Sequence, residues 1–144
     1  MITENAIKRD IIVIGASAGG VEAFSYLLEH LPADFPAAIA MTLHRSPVFP
    51  SLLPKVLNQH ANLKCEEPKD GDAFKAGHAY VAPPDHHMVV RQGLLRLERG
   101  PKHHHSRPAI DPMFQSVAVE YGDRVIGVLL TGNLSDGVAG LIAI

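Results

Sequence analysis

The run Ile11-Ile12-Val13-Ile14, followed by Gly15-Ala16-Ser17-Ala18-Gly19-Gly20, limits the folds open to this chain more than any other stretch. Four consecutive branched apolar residues suit a strand buried on both faces, as in a parallel sheet covered by helices. After the small-residue turn, Val21, Phe24, Leu28 and Leu31 recur at the spacing of one helix face. Ser17 therefore stands where a strand becomes a helix. Unpaired backbone N–H groups and the positive end of the helix dipole converge at such a corner. It suits an anion, either a bound phosphate or an oxyanion formed during a reaction.

Three uses of the turn compete. Gly15, Ser17 and Gly19 fit the G-x-S-x-G pattern of a nucleophile elbow, in the strand–turn–helix context that pattern requires. The dinucleotide-binding frame G-x-G-x-x-G needs a glycine where Ser17 stands. A serine at this point also commonly caps the helix. Short motifs are degenerate, so capping or phosphate binding is the commoner use, and a nucleophile needs a base from elsewhere in the chain.

Composition narrows the setting. A chain of 144 residues accommodates one domain with a sizeable core, and 47% hydrophobic with 19% charged residues excludes a disordered one. The net charge of −2, without a basic run, argues against nucleic acid and against an anionic membrane surface. Cys65 is the single cysteine, which excludes an internal disulfide and fits a reducing compartment. No apolar run is long enough to span a membrane, and Glu4 precedes the first apolar segment, unlike a signal peptide. A cytoplasmic protein without membrane insertion is expected.

Along the chain, strands and helices alternate. Residues 31–36 form a loop with two prolines, and residues 37–43 read as a second strand closed by His44. Residues 49–57 have helical spacing with Pro54 as a blemish, and residues 62–66 and 79–82 read as short strands. Residues 88–90 and 94–97, separated by Gln92-Gly93, predict an antiparallel hairpin. His103-His104-His105 lies in a loop and reads as solvated and mobile, since consecutive histidines cannot all face one ion; no metal site is expected. Residues 110–121 predict a helix and residues 125–130 a strand, ending in the loop Thr131-Gly132-Asn133-Leu134-Ser135-Asp136-Gly137. The apolar stretch 138–144 starts a helix without a stop signal, so the chain reads as cut inside an element. The predicted class is a three-layer α/β/α fold, with a mainly parallel sheet and a small antiparallel hairpin.

Three strand ends thus offer Ser17, His44 and Asp136, the residue types of a nucleophile, a base and an orienting carboxylate. Taken singly, His44 is an ordinary strand-end histidine and Asp136 an ordinary turn residue. The blocks IIVIGASAGGVEAF, LPADFPAAIAMTLH, DGDAFKAGHAYVAPPDHHM, RPAIDPMFQS and GVLLTGNLSDGVAGLIAI resemble the catalytic domain of the chemotaxis protein-glutamate methylesterases. The likeness runs from about Asp10 to the last residue, as one domain without the receiver domain that often precedes it.

That resemblance implies a hydrolase with Ser17 as nucleophile, His44 as base and Asp136 as its orienting partner. It acts on glutamate γ-methyl esters of methyl-accepting chemotaxis receptors without a cofactor, and some relatives also deamidate glutamine. Backbone N–H groups of Ala18 and Gly19 at the helix start are natural oxyanion donors, and the resemblance adds that of Asn133. Gly20 is expected to let the substrate approach, and Arg107 to contact it. Self-association through an uncovered sheet edge is a further expectation. The rival readings are a phosphate-binding module and a non-catalytic domain that docks a receptor or regulator.

Overall fold

The structure is a computed structural model that describes residues 8–17, 19–44, 52–130 and 135–144. The buried apolar run at the start becomes β1 (Ile11–Ala16), followed by α1 (Gly20–Glu29) and β2 (Ala38–Leu43). Next come α2 (Leu53–Asn58), β3 (Lys64–Glu66) and β4 (His78–Val81). The hairpin β5 (His87–Arg91) and β6 (Leu94–Glu98) precedes α3 (Ile110–Tyr121), β7 (Val125–Leu129) and α4 (Val138–Ala143). The five strands β3-β4-β2-β1-β7 form one parallel sheet, and β5 and β6 form a separate antiparallel pair.

Alternation along β1 divides the core between the two faces of the sheet. Ile14 and Ala16 pack with Phe24 and Leu28 of α1 and with Leu53 and Leu57 of α2. Ile11 and Val13 pack on the other side with Ile110, Met113, Phe114 and Val117 of α3 and with Met88 and Val90 of β5. Helices thus cover both faces of the central strands, and the expected three-layer class holds. The Gln92-Gly93 turn has φ of 53° and 75°, the left-handed pair that closes a two-residue hairpin.

Two local expectations shift. α2 starts at Leu53 with Pro54 in its first turn, where a proline lacks no hydrogen bond, so the apparent blemish marks the helix start. Residues 49–51 of the expected helix lie outside the described residues. α1 ends at Glu29, two residues short of Leu31, as the chain turns toward Pro32. Among the described residues, no helix is long and apolar enough to cross a membrane.

Candidate active site

β1 and β2 are neighbours with Ala16 opposite Leu43, so the residues that follow them, Ser17 and His44, leave the sheet side by side. The His44 N–H donates to the Ala16 carbonyl at 3.1 Å, which extends the pairing past the strand end. Open parallel sheets collect chemistry at this carboxyl edge. Ser17 and His44 line one pocket of about 390 Å³ together with Gly19, Gly20, Val21, Glu22 and Leu43.

Asp136 arrives from the other side of β1, in the connection between β7 and α4. His44 Nε2 lies 2.6 Å from Asp136 Oδ2. The carboxylate is fully buried and the imidazole 13% exposed. The N–H groups of Ile110 and Asp111, at the start of α3, donate to Asp136 Oδ2 and Oδ1 at 2.7 and 2.8 Å. Asp136 is therefore both the partner of His44 and the acceptor that finishes a helix N-terminus, where a negative charge is favoured. Burial alone pushes its carboxyl up. The hydrogen bonds from His44, Ile110 and Asp111 outweigh that and hold it below the usual aspartate range.

Three residues outside the expected set support this corner. Asp111, also buried, accepts from the Gly137 and Gly140 N–H groups through Oδ1 at 2.9 and 2.8 Å. His104 Nε2 reaches Asp111 Oδ2 at 3.0 Å. His87, 3% exposed, accepts from the Ala109 N–H through Nδ1 and donates from Nε2 to the Pro101 carbonyl. Burial, first among the causes, lowers its pKa. Asp111 carries a weak sequence signal, an acidic residue in a helix first turn, whereas nothing local marks His87 or His104.

The histidine triplet is exposed, as expected, and forms a defined turn. His103 and Ser106 exchange backbone hydrogen bonds at 3.1 and 2.9 Å, which closes a tight turn with His104 and His105 at its tip. His103 sets its ring edge-on against His87, with centroids 5.1 Å apart. The ligand-type atoms of His104, Asp111 and Asp136 lie within 4.8 Å of one another, and three N–H donors occupy each of the two carboxylates.

The remaining expected site residues vary in their placement. Ala18 and Asn133 lie outside the described residues. Gly19 precedes α1 with φ of 77°, a conformation that glycine adopts without strain. Gly20 is buried, and a Cβ there would collide with Leu43 Cδ1 and lie 2.9 Å from Ala16 Cβ, so glycine suits the packing against β1 and β2. Arg107 donates from Nε and Nη2 to Asp85 Oδ1 at 2.9 and 2.6 Å, and from Nη1 to the Gly100 carbonyl. That guanidinium ties the loop before α3 to the residues preceding β5.

Known proteins place this geometry in context. A family model described as CheB methylesterase matches residues 12–144. The protein-glutamate methylesterase/protein-glutamine glutaminase 1 of Xanthomonas campestris pv. campestris is 41% identical over 136 residues, covering 92% of this chain and 38% of the relative. The protein-glutamate methylesterase/protein-glutamine glutaminase of Salmonella typhimurium is 40% identical over 137 residues, covering 92% and 39%. The chain thus spans about two fifths of the length of these relatives. The crystal structure of the Thermotoga maritima CheB methylesterase catalytic domain superposes with a TM-score of 0.88 at 33% identity, covering 95% of this chain and 75% of that one.

Proposed function

The chain belongs to the CheB methylesterase family, and from that premise we propose that it hydrolyses glutamate γ-methyl esters on the cytoplasmic helical region of methyl-accepting chemotaxis receptors. The single observation that carries the reading is the 2.6 Å contact between His44, at the end of β2, and Asp136, before α4, beside the pocket that Ser17 lines.

Ser17 Oγ attacks the ester carbonyl while His44 takes its proton. Because Nε2 is turned to Asp136, the imidazole nitrogen left for that proton is Nδ1. Asp136 holds the ring in the tautomer with hydrogen on Nε2 and stabilises the imidazolium that forms. His44 then protonates the leaving methoxide, which departs as methanol, and water attacks the glutamyl-Ser17 ester by the reverse path. The N–H groups of Ala18, Gly19 and Asn133 serve as oxyanion donors, with Gly20 and Arg107 at the margin of the substrate. The same acyl chemistry on a glutamine amide releases ammonia, in line with the second activity in the relatives' names.

The reaction calls for no metal or cofactor. Its substrate places the protein in the cytoplasm, where the free Cys65 thiol is at home. Ile126, Leu141 and Ile142, exposed at 39%, 40% and 81% around β7 and α4, are the surface through which the chain self-associates. Light scattering against Ile142→Lys tests this, an unchanged oligomeric state in the variant removing it.

The decisive assay measures methanol released from a methylated receptor fragment by the purified chain, with Ser17→Ala as control. Release that depends on Ser17 supports the reading. Receptor binding without release assigns the chain instead to a docking domain of the same fold.

A further inference from the structure

We propose that Asp111, with His104 seated on its outer oxygen, is a positioning residue for Asp136. The inference rests on the reading of Asp136 as the catalytic partner of His44 and extends it to two side chains that touch neither substrate nor reacting atoms.

Two buried aspartates at this corner exchange helix ends. The Asp136 side chain satisfies the first N–H groups of α3, those of Ile110 and Asp111. The Asp111 side chain satisfies the N–H groups of Gly137 and Gly140, the first of which directly follows Asp136. Each carboxylate therefore fixes the backbone that carries the other. Asp136 Oδ2 divides itself between His44 and Ile110, so a small rotation of its carboxylate lengthens the contact with His44. Contacts of this kind lose their value over displacements of about 1 Å. Asp111 removes that freedom by pinning the chain at residue 137.

His104 closes the arrangement from outside. Its Nε2–H donates to Asp111 Oδ2 at 3.0 Å, and its Nδ1 lies 3.3 Å from the hydroxyl of Ser135, the residue before Asp136. One ring thus bridges the carboxylate behind Asp136 and the chain in front of it. His104 and His105 have φ of 51° and 61°, where Asn-Gly is the usual pair. A non-glycine pair held there is sustained by its surroundings, and the contacts of His104 to Asp111 and Ser135 supply that support.

The test uses the whole chain, with three variants and two readouts. The first readout is the downfield proton resonance of the His44 Nε2–H in its bond to Asp136, assigned by its absence in His44→Gln; it needs no catalysis. The second is the separation of kcat from KM in methyl-ester hydrolysis. Asp111→Ala is expected to lose the resonance and to lower kcat on the order of 100-fold with KM little changed. Asp111→Asn keeps an oxygen for the Gly137 and Gly140 N–H groups, and is expected to retain the resonance and most of kcat. His104→Ala, at a partly exposed position, is expected to broaden the resonance and lower kcat to a smaller extent. A folded Asp111→Ala that keeps both resonance and kcat overturns the proposal. If that variant does not fold, an unaltered resonance and kcat in His104→Ala overturn it instead. A native chain that shows the resonance yet hydrolyses no ester refutes the proposed function, and the positioning role is then judged on the resonance alone.

Discussion

Two helix starts meet at the site, and they are finished in opposite ways. α1 begins at Gly19 with no side-chain cap among the described residues, next to the pocket shared by Ser17 and His44. At α3, three consecutive N–H groups, those of Ala109, Ile110 and Asp111, all donate to buried side chains, His87 and then Asp136. Helix geometry leaves first-turn N–H groups without partners inside the helix. Under the proposed function the α1 end serves a reacting oxyanion, whereas at the α3 end the N–H groups of Ile110 and Asp111 are taken by Asp136, the carboxylate beside His44. Function and stability should therefore be separable at Ser17 and inseparable at Asp136.

The largest effect expected is at the open end. Ser17→Ala should abolish methanol release while costing no more stability than a lost cap, about 0.5–2 kcal/mol. Residual esterase activity in that variant would point to another nucleophile. Asp136→Ala should lower activity by roughly 10⁴-fold, the scale set by triads that lose their orienting carboxylate. It should also destabilise the fold, since the Ile110 and Asp111 N–H groups lose their acceptor at about 1–3 kcal/mol each. If urea titrations find the two variants equally stable, the contrast between the helix starts fails. Because the folded-state pKa of Asp136 is depressed, its contribution is present above the ordinary aspartate value and is lost as pH falls through and below it.

A smaller effect concerns His87. Burial, aided by His103 and Arg107 and opposed by the Pro101 carbonyl and by Asp136, depresses its pKa below 6.5. The unfolded chain then binds the proton more readily than the native one. The contribution is complete above the unfolded value and declines as pH falls below it. The urea midpoint should drop between about pH 7.5 and about pH 5.5, and His87→Gln should show a shallower drop. Equal slopes would detach the filled helix start from pH. The smallest effect is at Cys65, buried in β3. Burial pushes its thiol up to about 12, so alkylation at neutral pH should be slow in the native chain and rapid after denaturation.

Most of the framework is legible in the residues alone. The β1 run, the hairpin about Gln92-Gly93 and the helix of residues 110–121 each depend on neighbours within a few positions. Ser17, His44 and Asp136 are legible as residue types at strand ends. The support behind them is not. The Asp111 carboxylate meets the Gly137 N–H across 26 positions, and His104 meets Ser135 across 31, distances over which no periodicity operates. The triplet of histidines reads as solvated and is exposed, but the sequence does not show that His104 also reaches the buried Asp111 carboxylate. Gly20 carries a constraint the sequence does not show, since a side chain there would meet Leu43 of the adjacent strand.

The sequence by itself determined which segments are strands and helices, which faces are apolar, and that a serine and a histidine close two strands while an aspartate follows a third. Local steric preference and hydrophobic spacing suffice for that, because each acts over one or two turns of chain. Only the tertiary structure decided that β1 lies between β2 and β7, which brings the His44 and Asp136 side chains to 2.6 Å of each other. It alone also decided that Asp136 caps α3 while Asp111 caps α4. Buried carboxylates take the donors that folding places beside them, and folding brings those donors from anywhere along the chain.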